Sequence, residues 1–285
     1  MAVQFVIDSG SDILPQEAKA QGIVHLPLKV LFGETEYLDA VDFSHREFYE
    51  KLVESDQIPT TCQVPPAEFE AAYERIVAAG DAAVVVTVSG KLSGTYQSAV
   101  IASEDYAGKV FIVDSENVSL GQRILVQQGL RYRAAGLSAA EIAARLEEDK
   151  KQIRVLALLD TLEYLKKGGR ISAATALAGS LLSIKPVVTV EDGAVVMAGK
   201  ARGSRQGNNL LREMVKNSGG IDFDRPLCLA YSGLSDAMLR KYIDDSEELW
   251  QGHADCLQIA TVGCAIGTHA GPGAVAVAFY RKEKV

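Results

Sequence analysis

Cysteine and histidine are scarce in this chain and form no recognised metal motif. Its four cysteines, Cys62, Cys228, Cys256 and Cys264, include no C-x-x-C pair, and its four histidines show no H-E-x-x-H spacing. This pattern argues against a disulfide scaffold and against the usual zinc motifs. We therefore predict reduced thiols in a cytoplasmic protein that needs neither a metal nor another cofactor.

Long apolar runs and an excess of positive charge are also absent. The apolar stretches are strand-length or are interrupted by glycine and lysine, and Asp8 and Asp12 break the first of them. Neither a secretory signal nor stable insertion into a membrane is therefore expected. With 29 Lys and Arg against 37 Asp and Glu, the net charge of −8 also disfavours nucleic acid as a partner.

Nucleotide-binding and hydrolase motifs are missing as well. The segment SGKLSGT at 89–95 contains Gly-Lys but lacks the G-x-x-x-x-G-K-[ST] spacing, and no strand leads into G-x-G-x-x-G. Its GKLSG core at 90–94 also differs from the G-x-S-x-G motif of serine hydrolases. Hydrolysis still stays open, because the folded chain could bring His269 close enough to Ser93 to act as its base.

Alternating strand and helix patterns fill the first half of the chain. Residues 83–88 are apolar and mostly β-branched, which is typical of a strand buried on both faces of a parallel sheet. Extended segments at 3–8, 24–32 and 109–114 alternate with helical patterns in the same way. Repeated β-α units of this kind predict a mostly parallel, three-layer α/β/α domain over residues 1–151.

The pattern changes after residue 152. Asp192 and Gly193 separate two alternating apolar runs, which indicates a β-hairpin. Helices are predicted at 173–182, 204–217 and 236–250, and further strands at 155–159, 227–232, 256–261 and 274–280. We infer a second, smaller α+β domain with antiparallel strands over residues 152–285.

Small polar residues follow several of the predicted strands. Ser93 and Thr95 flank Gly94 where a helix begins, and the unpaired N–H groups of a helix start can hold an anion. Either side chain could equally well cap its own helix, and the residues alone leave both interpretations open. For Asp8 and Asp12, a structural role in a β-α turn is favoured over a cation site.

Two more segments are candidates for a binding site. A hydroxyl-rich turn is predicted at 60–63, and a glycine-rich loop at 263–274 surrounds His269. Glycine allows the backbone to approach a ligand closely. If Thr61, Ser93 and His269 converge, they offer two O–H donors and one N–H donor without a permanent charge, and such a set suits a carboxylate.

These motifs resemble, in their order along the chain, those of the DegV family of bacterial fatty-acid-binding proteins. The matching segments are VIDSGSDI at 6–13, PTTCQ at 59–63, SGKLSGTYQSA at 89–99, Asp114 and Ser115 with Gly121, LKKGGRIS at 165–172 with IKP at 184–186, and GCAIGTHAGPGA at 263–274. No single segment is decisive, but together they are specific to the family and span nearly the whole chain.

The resemblance implies a long apolar tunnel between the two domains that holds one long-chain fatty acid. The residues that it implies for the carboxylate are Thr61, Ser93, Gly94 and His269, supported by Cys62, Gln63 and Thr95. Cys62 and Val64 depart from the family pattern, which has serine and proline there. Because a free cysteine usually packs as a small apolar residue, the anchoring role is expected to rest on Thr61 and Gln63.

The resemblance also implies a partner protein. Characterised members carry the lipid for a fatty acid kinase, which brings ATP and converts the presented carboxylate into an acyl phosphate for phospholipid synthesis. Lys167 and Arg170 of the basic loop, together with Arg202, are then the expected kinase-facing or phosphate-facing residues. The protein alone would be a carrier and not an enzyme.

Two other functions remain open from the residues. Ser93 with His269 could serve a hydrolase or acyltransferase, and the hydroxyl-rich turns could bind a sugar or a phosphate. The carrier is favoured mainly because of the resemblance, and burial of roughly fourteen methylene groups, which contributes on the order of 11 kcal/mol before the costs of binding, is consistent with it. Apolar residues at 173–184 and Ile101 are candidates for the tunnel wall, although core packing explains them equally well.

Overall fold

The fold of this chain was obtained as a computed structural model that describes residues 2–171 and 184–282. The strands are β1 (Val3–Asp8), β2 (Ile23–Leu26), β3 (Lys29–Phe32), β4 (Thr35–Leu38), β5 (Thr60–Cys62), β6 (Ala82–Thr87), β7 (Val110–Asp114), β8 (Ile153–Leu158), β9 (Ile184–Glu191), β10 (Ala194–Arg202), β11 (Cys228–Tyr231), β12 (Ile259–Thr261) and β13 (Val275–Tyr280). The helices are α1 (Pro15–Ala20), α2 (His45–Glu54), α3 (Pro66–Ala78), α4 (Thr95–Ala102), α5 (Leu120–Ala134), α6 (Ala139–Asp149), α7 (Glu163–Lys167), α8 (Gly203–Asn217), α9 (Ala237–Asp245), α10 (Glu247–Trp250) and α11 (Cys264–Ala270). The helix predicted at 173–182 lies outside the described residues.

Four parallel strands form the first sheet, in the order β2-β1-β6-β7. Every residue of β6 is buried, because its side chains pack alternately on both faces of the sheet. Val84 and Val86 join the core that contains residues of α5 and α6, whereas Ala83 and Val85 join the core under α3 and α4. The predicted three-layer α/β/α arrangement is confirmed.

A six-stranded sheet follows, in the order β10-β9-β8-β13-β11-β12. Its neighbouring strands are antiparallel except for β11 and β12, so the predicted antiparallel character of this half is confirmed. Leu158 and Val277 face the core formed with α8 and α9, and α5 packs on the other side of the sheet. The change from one sheet to the other falls between α6 and β8, while the division into domains at 151 and 152 stays a prediction.

A small antiparallel sheet, β4-β3-β5, was not expected from the sequence. The extended segment predicted at 24–32 is two strands in different sheets, because Pro27 lacks the N–H that would continue the ladder. The turn predicted at 60–63 is mostly strand β5, which pairs with β3, so that Thr61 lies opposite Val30. Residues 60–62 form a strand because they pair with β3, about thirty positions earlier in the chain, and no local sequence pattern indicates this pairing.

Three further predictions need correction. The helix predicted at 236–250 is divided at Ser246, where the backbone leaves the helical region. The strand predicted at 256–261 is shorter, since Ala254–Cys256 forms a 3-10 turn before β12. The glycine-rich segment around His269 is mainly helix α11 and not a loop, and His269 lies in its last turn.

The parallel sheet and the six-stranded sheet meet at specific polar contacts. The tip of the β9–β10 hairpin docks on the first sheet, where the hydroxyl of Ser89 donates to the carbonyl of Gly193 at 2.7 Å. On the other side, the amide of Gly263 donates to Asp12 at 2.8 Å. Over the described residues, no helix combines the length and apolar character needed to cross a membrane.

Candidate functional site

A cavity of about 380 Å³ lies between the two large sheets. Its walls are mainly apolar and are contributed by β8, β9, β13 and α11 or by residues next to them. The wall residues from these elements include Val155, Ala157, Leu159, Val188, Val190, Ala265, Ile266, Ala274 and Ala276. The volume lies in the range of roughly 300–1,000 Å³ that is common for small-molecule sites.

Alanine on one face of β13 keeps this cavity open. Ala274 and Ala276 face the cavity, whereas Val275 and Val277 point into the opposite core. The alternation AVAVAF at 274–279 was visible in the sequence and is the signal that could have identified this wall. Ile101 was a wrong candidate, because its side chain is 49% exposed. Residues 172–183, which contain most of the other candidate segment, lie outside the described part of the chain.

Two elements supply much of the cavity wall. On α11, Ala265, Ile266 and His269 line the cavity from one helix face, and Val262 lines it just before the helix begins. We call the hydroxyl and imidazole group formed by Thr61, Ser93 and His269 the rim. Val118 and Ser119 also line the cavity.

The second element is β8, whose residues Val155, Ala157 and Leu159 line the cavity in sequence. Val155 packs against Gly121 of α5. Leu159 packs with Leu165 of α7, the element that leads to the basic loop.

Thr61 and His269 meet at the rim. Thr61 Oγ1 lies 2.9 Å from His269 Nε2, although the two residues are 208 positions apart in the chain. The ring also packs so closely on Gly168 that a β-carbon at that position would collide with it. Pairing of β5 with β3, and the last turn of α11, therefore hold the hydroxyl and the imidazole together.

The imidazole of His269 is neutral near pH 7. Burial, together with the positive charge of Arg170, lowers the pKa of His269 from 6.5 to about 4. If Nε2 carries the proton, it donates to Thr61 and leaves the hydroxyl proton of Thr61 free for a ligand. Nδ1 has no hydrogen-bond partner among the described residues. In this tautomer the pair supplies the hydroxyl of Thr61 as a donor and carries no fixed charge.

Ser93 lies in the cavity wall at the start of α4. Its Oγ is 2.9 Å from Thr95 Oγ1 and accepts from the amide of Thr95 at 3.3 Å. Thr95 in turn accepts from the amide of Val64. Ser93 is therefore both a turn residue and a cavity residue, and the two interpretations of its hydroxyl are compatible.

Gln63 connects the two hydroxyl segments. Its side chain packs over Gly94, where any β-carbon would collide with it, and its Nε2 donates to Ser98 at 2.8 Å. Gly94 and Cys62 also line the cavity, and Cys62 is exposed. The structure brings the sequence-predicted carboxylate residues and their supporting residues to one rim, while their role towards a carboxylate stays a prediction.

The basic residues occupy different positions. Arg170 lines the cavity, and its guanidinium donates to the carbonyls of Leu92 at 3.1 Å and Gly168 at 2.6 Å. It therefore ties the basic loop to the segment that carries Ser93. Lys167 is exposed and pairs with Glu163 at 2.7 Å. Arg202 is exposed at the end of β10 and is not among the described cavity-lining residues.

Asp8 and Asp12 have structural contacts, as the sequence analysis favoured. Asp8 accepts from the amides of Gly10 and Val88, and Asp12 accepts from the amide of Gly263 and the hydroxyl of Ser119. Burial raises the pKa of Asp8 to about 6 and that of Asp12 to about 7, against the lowering effect of these hydrogen bonds. These carboxyl groups tie the end of β1 to neighbouring segments.

One cluster with metal-ligand character was missed by spacing arguments. Donor atoms of Asp39, His45 and Cys264 lie within 4.8 Å of one another. The carboxylate of Asp39 already accepts from Ser9 and from the amides of Cys264 and Ala265 at the start of α11. Its contacts explain it as the cap of that helix, so the cluster adds no ligand to the cavity.

Comparison with known proteins identifies a family and relatives that are similar to this chain. The family model described as an uncharacterised protein of the DegV family matches residues 2–282. A DegV domain-containing protein of Caldanaerobacter subterraneus subsp. tengcongensis is 34% identical over 284 residues, covering 98% of this chain and 99% of the relative. A DegV domain-containing protein of Deinococcus radiodurans is 35% identical, with 98% of each chain covered.

Solved structures agree with this placement. A DegV family protein from Thermus thermophilus, described as fatty-acid-binding, superposes with a TM-score of 0.88 at 30% identity over 99% of this chain and 100% of its own. A stearic acid-binding protein from Eubacterium ventriosum reaches 0.87 at 25% identity, with 99% of each chain covered. DegV from Bacillus subtilis, a fatty acid binding protein, reaches 0.80 at 28% identity over 99% of this chain and 100% of its own.

Proposed function

This chain belongs to the DegV family, and from that premise we propose that it binds one long-chain fatty acid between its sheets and presents the carboxylate to a partner kinase. The observation that carries the proposal is the cavity itself, which has apolar walls and a rim of hydroxyl and imidazole groups. The similar structures from Thermus thermophilus and Eubacterium ventriosum are fatty-acid-binding proteins, which supports the same ligand here.

The rim suits a carboxylate that must react later. When Nε2 of His269 carries the proton and Thr95 donates to Ser93, the hydroxyl protons of Thr61 and Ser93 are free to donate to its oxygens. Arg170 adds a positive charge nearby. Two of the guanidinium nitrogens of Arg170 are already bound to backbone carbonyls. The carboxylate is then oriented mainly by neutral donors, which leave more of its nucleophilicity than a bidentate arginine pair would.

The reaction would take place with the kinase and ATP. One carboxylate oxygen forms a bond to the γ-phosphorus of ATP, and the bond from that phosphorus to ADP breaks. The products are an acyl phosphate on the carrier and ADP. The protein alone contributes binding and orientation, and the need for ATP is consistent with a cytoplasmic location.

Hydrolysis by Ser93 and His269 is less well supported by the geometry. Within residues 2–171 and 184–282, no hydrogen bond joins these two side chains, because Ser93 contacts Thr95 and His269 contacts Thr61. No carboxylate in the same part of the chain orients Nδ1 of His269. The Ser-His-Asp arrangement of serine hydrolases uses both contacts. Sugar or phosphate binding is disfavoured by the apolar walls.

Native mass spectrometry of the purified protein tests the proposal, followed by extraction and identification of any bound molecule. One fatty acid per chain is expected, together with ATP-dependent acyl phosphate formation when a fatty acid kinase is added. An empty protein that also fails to bind added fatty acids would refute it. Covalent labelling of Ser93 by a serine-reactive phosphonate, with ester turnover, would favour the hydrolase instead.

A further inference from the structure

The helix that carries His269 has little stability of its own. α11 is seven residues long, and an isolated helix of that length is not stable in water. Glycine stands before, within and after it, at positions 263, 267 and 271, and glycine inside a helix is destabilising. Gly263, at the N-cap, has no side chain to bind the first amides. α11 therefore depends on contacts from other segments.

Two buried carboxylates bind the start of α11. The amide of Gly263 donates to Asp12 at 2.8 Å. The amides of Cys264 and Ala265 donate to the two oxygens of Asp39 at 3.0 and 3.3 Å. These three amides are among those that a helix start leaves unpaired. Asp39, which is 1% exposed, thus holds two of the three by itself.

Asp39 belongs to the same small sheet as Thr61. It directly follows β4, and its amide donates to the carbonyl of Leu28, just before β3, at 2.9 Å. The hydroxyl of Ser9 links both segments, because it donates to Asp39 at 2.8 Å and accepts from the amide of Leu28 at 2.9 Å. Thr61 lies on β5, the third strand of this sheet. The small sheet therefore holds Thr61 directly, and it holds His269 through Asp39 and α11.

We propose that Asp39 is a positioning residue for the rim, which keeps the imidazole of His269 at Thr61. Asp39 is not among the described residues that line the cavity, so it acts through α11 and not by contact with the ligand. Without its two bonds to Asp39, the first turn of α11 loses its cap, and the last turn no longer holds His269 against Thr61. The inference rests on the proposed function, because it takes the ligand carboxylate to lie at the rim.

Asp39→Asn is the informative variant, because asparagine keeps the shape of the side chain but replaces one oxygen by an NH₂ group that cannot accept from a helix amide. Dissociation constants are measured for octadecanoic acid and for octadecan-1-ol, which has the same chain without a charge, by displacement of a fluorescent fatty acid. The variant is expected to bind the acid about tenfold more weakly than the wild type does, and the alcohol less than about threefold more weakly. A general loosening of the cavity would weaken both ligands alike.

Asp8→Asn is the matched control. Asp8 is buried like Asp39 and also accepts from two backbone amides, but these belong to Gly10 and Val88 and not to α11. The ratio of the acid and alcohol dissociation constants should stay within about twofold of the wild type in this variant. His269→Gln completes a double-mutant cycle. In that background Asp39→Asn should weaken acid binding less than about twofold, because the residue through which it acts is gone.

NMR titration of the His269 ring tests the positioning without any ligand. Burial, together with the charge of Arg170, holds the pKa of His269 at about 4, and in Asp39→Asn this pKa should rise towards 6.5 as the ring becomes more exposed. Ser9→Ala removes one bond to Asp39 but keeps its charge, so it should raise the pKa by less, and it serves as the test if Asp39→Asn does not fold.

An unchanged pKa of His269, equal weakening of acid and alcohol, or the same effect of Asp39→Asn with and without His269 would overturn the inference. Failure of the wild type to bind octadecanoic acid would instead refute the proposed function, and the NMR titration would still decide the role of Asp39.

Discussion

Substitution of Ala157 by leucine should block part of the cavity and weaken the binding of long fatty acids. Ala157 lines the cavity on β8, between the lining residues Val155 and Leu159, and is in register with Ala276 on the neighbouring strand β13. Leucine adds three carbons at this point, and each methylene group of the ligand that they displace costs about 0.8 kcal/mol of burial. The sum is about 2.4 kcal/mol, which corresponds to roughly a 50-fold increase in the dissociation constant.

The assay compares dissociation constants for decanoic and octadecanoic acids, measured by calorimetry, in the wild type and in Ala157→Leu. Ala198→Leu on β10 is the matched control, because Ala198 is exposed and lies outside the described cavity lining. Circular dichroism and thermal unfolding check that both variants fold. If Ala157→Leu binds octadecanoic acid within threefold of the wild type, the ligand does not occupy this cavity and the reasoning is wrong.

Three other substitutions address the rim and its surroundings. Ser93→Ala removes a donor to a charged group, worth roughly 1.5–3 kcal/mol, so native mass spectra should show at least tenfold less retained fatty acid; unchanged retention would exclude Ser93 from the carboxylate site. Lys167 is exposed and pairs with Glu163 on the surface, so Lys167→Ala should keep the affinity for fatty acid but slow acyl phosphate formation by the kinase. An unchanged rate would exclude Lys167 from the kinase-facing surface. His269→Gln should reduce the loss of unfolding free energy that occurs as the pH falls below 6.5. The pKa of His269 is about 4 in the folded chain and 6.5 ordinarily, so between these values the unfolded chain binds a proton that the folded chain does not. Stability is therefore lost as pH falls from about 6.5 to about 4, by at most about 3 kcal/mol for this partly buried group. Denaturant unfolding at pH 7 and pH 4.5 measures the difference between the two proteins, and Asp8 and Asp12, whose raised pKa values act in the opposite direction, are present in both. The same loss in both proteins would show that His269 is already protonated when folded.

Several features of the fold follow from local sequence patterns. The apolar, β-branched run of β6 indicated a strand buried on both faces, and the structure buries all six of its residues. The Asp-Gly pair at Asp192 and Gly193 indicated the hairpin of β9 and β10, which is present with that turn. These predictions succeeded because hydrophobic periodicity and turn chemistry act over a few neighbouring residues.

Features that depend on distant partners were missed. Thr60–Cys62 has no strand pattern of its own and becomes a strand only because β3 offers an unpaired edge. The segment around His269 was predicted to be a loop because of its glycines, yet Asp39 caps its first amides and it forms helix α11. In both cases a tertiary contact outweighed the local preference.

The candidate site also depends partly on local sequence and partly on tertiary contacts. The sequence by itself determined which groups are available, because residue chemistry and strand periodicity are local properties. These groups are the hydroxyls of Thr61 and Ser93, the imidazole of His269 and the alternating alanines of β13. Only the tertiary structure decided that Thr61 and His269 lie 2.9 Å apart, and that Ser93 bonds to Thr95. It also decided that residues of β8, β9, β13 and α11 line one cavity together with them. Those distances depend on how two sheets pack across more than 200 positions of chain, and no pattern of neighbouring residues contains that information.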